Sequence, residues 1–288
     1  MFLICVGRAL SRHGGLPLHL NTMLFVIAIL CYLIAAGWLA RPMFGRQASN
    51  ASAGGIKPAL GIATLAVLLH AGILLSVHRG ALDLHFFAAL SLVGCVVSAL
   101  TLLVNLSRPV AALGVIVFPL TALLLALDGF VAPSTMPLAL DWQIKLHVTV
   151  ALLAFSVLSI ASVLAILLAI QERALRHRHF GSWLRALPPL TLTETLLFRL
   201  IGAGFVLLTL TLLSGILFVD DLFGQNLIQK TVLSIVAWLI FGILLYGRWR
   251  HGWRGRSAVN LTLSGMGLLL LAFFGSKLVL ELILHRAV

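Results

Sequence analysis

Acidic residues are scarce in this chain. Of its 288 residues only 8 are Asp or Glu, and all charged types together make up 10%. Soluble domains carry about 25% charged residues, so a water-soluble globule is excluded. No carboxylate pair is set up for acid–base chemistry; Asp220 and Asp221 adjoin in a short connection and read as solvated. No nucleophile stands beside a base, and there is no phosphate loop. These gaps argue for a binding or handling role and against an enzyme.

Cysteine is equally sparse. Cys5, Cys31 and Cys95 are scattered through apolar sequence and read as small apolar residues within helices. There is no Cys-x-x-Cys and no Cys-x-x-Cys-His, which excludes a thioredoxin-type dithiol and covalent attachment of c-type haem. Residues 1–22 lack a small-residue cleavage site behind a proper apolar core, so they do not read as a signal peptide. Met23 directly precedes the first clear span. Residues 1–22 are therefore left out of the fold, as an uncertain extension or a misassigned start, and 23–288 is read as a single transmembrane domain.

Apolar sequence dominates instead, at 61% of the chain. It falls into eight blocks, each about the length that crosses a hydrocarbon core of roughly 30 Å. The spans are expected near 23–40, 59–77, 84–105, 109–131, 146–170, 198–218, 230–247 and 258–284. The fold class is thus all-α, a polytopic membrane bundle of eight transmembrane helices in the lipid bilayer.

The formal charge of +12 does not indicate nucleic acid, because most arginines sit in connections between spans. There they set topology. Loops one, three, five and seven hold twelve Lys and Arg against four on the other side, so positive-inside places those loops in the cytoplasm and both termini on the outer (periplasmic) side. Gln171 to His179 is expected to extend the fifth helix into water. Phe180 to Leu190 reads either as an interfacial segment or as a plain loop.

Ionisable groups inside hydrocarbon are functional candidates. His70 lies about 3 Å from the midplane of the second span at 1.5 Å per residue. It reads either as a neutral imidazole bonded to a neighbouring helix or as a ligand or proton-handling group. His147 opens the fifth span and His285 closes the eighth, at the same depth and side. Two such imidazoles are what a bis-histidine haem site needs. Cations for the propionates would come from Arg79, Lys145 and Arg286. Lys277, Glu281 and His285 are spaced to pair along one helix face.

The seventh connection reads Arg248-Trp249-Arg250-His251-Gly252-Trp253-Arg254-Gly255-Arg256. Topology accounts for its arginines and tryptophans but not for their order. Gly252-Trp253-Arg254-Gly255 between the last two spans resembles the cytochrome c assembly family of CcsA and HemX type, and is most similar to its YpjD-type inner-membrane members. The span opened by His147, the run from Leu187 to Gly215 and the stretch Ala272 to Lys277 resemble the same family, over about 23–288. His70 with Arg79 resembles its early His…Arg pair.

The resemblance implies a bacterial inner-membrane protein that binds haem b non-covalently and handles it in cytochrome c biogenesis, with other biogenesis proteins as candidate partners. It maps His147 onto the first outer-side haem histidine and His285, within about one residue, onto the second. In the family's best-understood members a Trp-rich loop lies between them. Here the connection from Phe218 to Lys230 contains no tryptophan, and a further family histidine falls at Tyr246. A haem-free permease or scaffold, and a HemX-like regulator of tetrapyrrole synthesis, are the alternative readings.

Overall fold

The computed structural model describes residues 18–44, 56–78, 86–107, 110–131, 141–177, 187–218 and 228–275. Among these, all regular structure is helical, and eight helices are long and apolar enough to cross a membrane. They divide into two compact units.

In the first unit, α1 (Leu18–Phe44), α2 (Ile56–His78), α3 (Phe86–Ser107) and α4 (Ala111–Val131) each pack on the next, and α1 also packs on α4. Leucine, alanine and valine on all sides of these helices suit spans. Pro119 inside α4 is tolerated because neighbouring helices shield the freed backbone. The interior holds Tyr32, Phe118, Leu113 and Leu125, all fully buried.

In the second unit, α5 (Trp142–Arg176), α6 (Leu190–Phe218), α7 (Ile228–His251) and α8 (Arg256–Leu270) repeat that neighbour pattern, with α5 also against α8. A π-helical turn, Leu271–Gly275, ends the described part of α8. It brings Phe273 and Phe274 to 5.3 and 5.4 Å from the Phe155 ring.

All eight expected spans are present, and their ends differ for physical reasons. Helix α5 has 35 residues, about 52 Å at 1.5 Å per residue, so the extension expected past Gln171 exists. Gln171 and Ala174 are nonetheless buried within the unit and are not solvated. Helix α6 starts at Leu190, not at 198. Pro188-Pro189 sets its first turn, with Leu192 and Thr193 N–H groups bonding to the Pro189 carbonyl. Glu194, which looked like loop, is carried in the helix because an arginine neutralises it. Helix α7 runs to His251, so Arg248 and Arg250 form its last turn, where the helix dipole favours cations. Helix α1 starts at Leu18, ahead of 23.

Candidate functional site

His147 stands in the second turn of α5, half-buried, facing the far end of α6. Its Nδ1 lies 2.9 Å from the Ser214 hydroxyl. That hydroxyl donates its own proton to the Thr211 carbonyl at 2.9 Å. Ser214 therefore accepts at His147, and the ring proton sits on Nδ1. Nε2 keeps its lone pair and bonds to nothing among the described residues. A ring fixed in this way through one nitrogen and open at the other is the usual state of a metal-ligating histidine. Trp142 and Phe218 close the same end of the helix pair, ring centroids 6.1 Å apart.

Helix α8 heads towards this end of α5. It starts where Gly255 adjoins Glu172, and its last described turn rests on Phe155, two turns from His147. His285, Arg286, Glu281 and Lys277 lie outside the described residues, as does Arg79. No group of three or more His, Cys, Asp or Glu that could hold a metal ion occurs among the described residues.

His70 is in a different setting, in the first unit, fully buried. Its Nδ1 lies 3.3 Å from the Tyr32 hydroxyl on α1 and its Nε2 3.0 Å from Ser91 on α3. Both ring nitrogens are engaged. The polar lane continues along α3 to Ser98, which meets Thr121 of α4 at 2.8 Å, and Thr121 donates to the Gly94 carbonyl at 3.2 Å. Hydrogen bonds thereby join all four helices. Double-mutant cycles in membrane bundles average about 0.6 kcal/mol per such bond. His70→Leu, which keeps most of the volume, is therefore expected to lower stability by only about 1 kcal/mol, read from the unfolding midpoint in mixed micelles.

The basic turn between α7 and α8 is the most constrained part of the second unit. Gly252 (φ 66°) and Gly255 (φ 55°) take a backbone region that side chains disfavour. The Gly252 N–H bonds to the Arg248 carbonyl and the Trp253 N–H to that of Gly247, folding the chain back so that the Trp253 ring covers Gly247. Arg248 Nη1 donates to Glu194 Oε1 at 2.7 Å and to the Trp253 carbonyl at 3.2 Å, while its guanidinium lies 4.5 Å above the Phe198 ring. Arg254 reaches the same carboxylate oxygen at 3.5 Å. The Gly-Trp-Arg-Gly order is thus a turn that clamps α5, α6, α7 and α8 at one end. Tyr246, where the family histidine was expected, is exposed against Trp249 and His251.

Residues 59–284 match the family described as Cytochrome C assembly protein. The chain belongs to the cytochrome c assembly family. Within that family it is 39% identical over 137 residues to the inner membrane protein YpjD of Escherichia coli strain K12, covering 48% of this chain and 52% of that protein. It is 26% identical over 181 residues to the cytochrome c biogenesis protein CcsA of Chlamydomonas reinhardtii, covering 59% and 49%. For CcsA of Prochlorococcus marinus strain MIT 9515 the figures are 27% over 203 residues, 60% and 65%. The chain spans about half the length of the first of these curated relatives. No solved structure matches it. With eight spanning helices, this family member is a multi-pass inner-membrane protein.

Ser214, Glu194 and Tyr32 escaped the sequence reading. Ser214 lies in an apolar helix where serine usually bonds its own backbone. The rarity of carboxylates was the signal that Glu194 offered.

Proposed function

We propose that this chain binds haem b non-covalently through the Nε2 of His147, with His285 as the second axial ligand, and handles haem in cytochrome c biogenesis without catalysing turnover. The observation that carries this reading is the His147–Ser214 hydrogen bond, which leaves a neutral imidazole nitrogen open at the end of a membrane helix. Neutral imidazoles of His147 and His285 would hold haem, which when bound would supply an iron centre. The ligand role goes to His147 and not to His70, because both nitrogens of His70 already face hydroxyls. Lys145, on the same end of α5, is the cation offered to a propionate.

The proposal is tested by haem content. Protein purified in mild detergent from haem-replete cells is expected to show a Soret band and a b-type reduced spectrum, with about one haem per chain. Protein that stays colourless after haem supplementation sinks the proposal. That outcome would favour the haem-free scaffold, which the tryptophan-free connection from Phe218 to Lys230 also suits.

A further inference from the structure

The end of the second unit that carries the basic turn presents more positive charge than the clamp uses. Arg248 and Arg254 both pair with Glu194, and both use one carboxylate oxygen. Glu172, the other acid at this end, lies against Gly255, at the N-terminus of α8. A carboxylate there faces the positive end of the helix dipole. Neither acid, then, is paired with Arg173 or Arg176 on the last turns of α5, with Arg250 at the end of α7, or with Arg256 at the start of α8. All four are exposed.

The helix ends that carry them are held together. Gly255 against Glu172 holds the start of α8 beside the end of α5. The two left-handed glycines and the Arg248–Glu194 bond set the exit of α7. Trp249 stands on this same end, 83% exposed, with its ring edge against Tyr246 at 6.4 Å. An exposed indole beside a tyrosine at the end of a spanning helix sits at headgroup level. Clusters of four or more arginines there attract anionic lipid, each worth about 1 kcal/mol near the surface. Arginine suits the phosphodiester, whose oxygens take two parallel N–H bonds.

We infer that Arg173, Arg176, Arg250 and Arg256, with Trp249 beside them, form a binding site for the phosphodiester headgroup of an anionic phospholipid. The occupant is a lipid and not a soluble anion because the site lies at the ends of spanning helices, beside an exposed indole of the kind found at the membrane–water interface. The charge excess is local to the folded turn, so binding depends on these side chains and not on net charge alone.

The test is thermal unfolding of the full-length protein in neutral detergent, with three additions compared: phosphatidylglycerol, phosphatidylcholine with the same acyl chains, and inorganic phosphate. Phosphatidylglycerol is expected to raise the midpoint by roughly 5 °C, to do so less at high salt, and to be alone in doing so. The triple variant Arg173→Gln/Arg250→Gln/Arg256→Gln is expected to keep its lipid-free midpoint within about 2 °C and to lose the phosphatidylglycerol shift. An equal shift from inorganic phosphate would make this a free-anion site and overturn the lipid assignment. An equal shift from phosphatidylcholine, or a shift undiminished in the triple variant, would overturn the site itself.

Discussion

Removing the imidazole of His147 is expected to abolish haem retention. His147→Ala should purify with less than a tenth of the wild-type Soret absorbance, and added haem should not restore it. Nε2 is the open lone pair that the Ser214 bond leaves at this end of α5, and alanine offers no substitute. Ser214→Ala should act more mildly. It removes the hydroxyl partner of Nδ1, and loss of a partner to a metal-bound histidine typically costs 10- to 100-fold in affinity. The two variants should therefore separate in a haem titration: one fails to saturate, and the other saturates at higher haem. His147 is half-buried and makes this one side-chain bond, so its loss should leave the helical circular dichroism unchanged. A His147→Ala protein with undiminished Soret intensity would remove His147 from the site.

The second large effect is on stability, at Glu194. Its side chain is 12% exposed and takes Arg248, itself 28% exposed, at 2.7 Å. Hydrogen bonds to charged groups contribute about 1.5–3 kcal/mol, and an unpaired, largely buried arginine adds desolvation cost. Glu194→Ala is expected to destabilise the protein by about 3 kcal/mol, measured as a lowered unfolding midpoint. Glu194→Gln, which keeps an acceptor but loses the charge, should fall about midway. Arg254→Gln should cost little, since Arg254 is 70% exposed and 3.5 Å from its partner. If Arg254→Gln proves as damaging as Glu194→Ala, the clamp has been assigned to the wrong arginine.

The eight spans were legible because hydrocarbon imposes one requirement on every helix, about 20 apolar residues. Their ends were less legible. The sixth span is expected from 198 and starts at Leu190; in the added turns Glu194 meets Arg248, 54 positions later, a pairing that local sequence does not show. The order Gly252-Trp253-Arg254-Gly255 was visible as a motif, but its physical basis was not. That basis lies in two positive φ angles and in the absence of a β-carbon at Gly247 beneath the Trp253 ring. For the site, His147 was legible from its position at the head of a span. Ser214 was not, since a serine that bonds another helix has the same sequence signature as one that bonds its own backbone. His70 was legible as a candidate, but whether its nitrogens were free or engaged depended on Tyr32 and Ser91, on two other helices.

The polar lane of the first unit also bears on how the chain is made. Tyr32 needs His70, His70 needs Ser91, and Ser98 needs Thr121. These partners leave the ribosome in that order. Thr101 satisfies its hydroxyl on a carbonyl one turn back, inside its own helix, and can enter lipid alone. Tyr32 and His70 have no such local bond, and an unsatisfied polar group in hydrocarbon is costly. At about 5–20 residues per second, Ser91 follows Tyr32 by roughly 3 to 12 s. Through that interval α1 and α2 are better held together, or beside water at the insertion machinery, than released singly into the bilayer. The hydroxyls that lock the finished bundle therefore also favour pairwise insertion of its helices during synthesis.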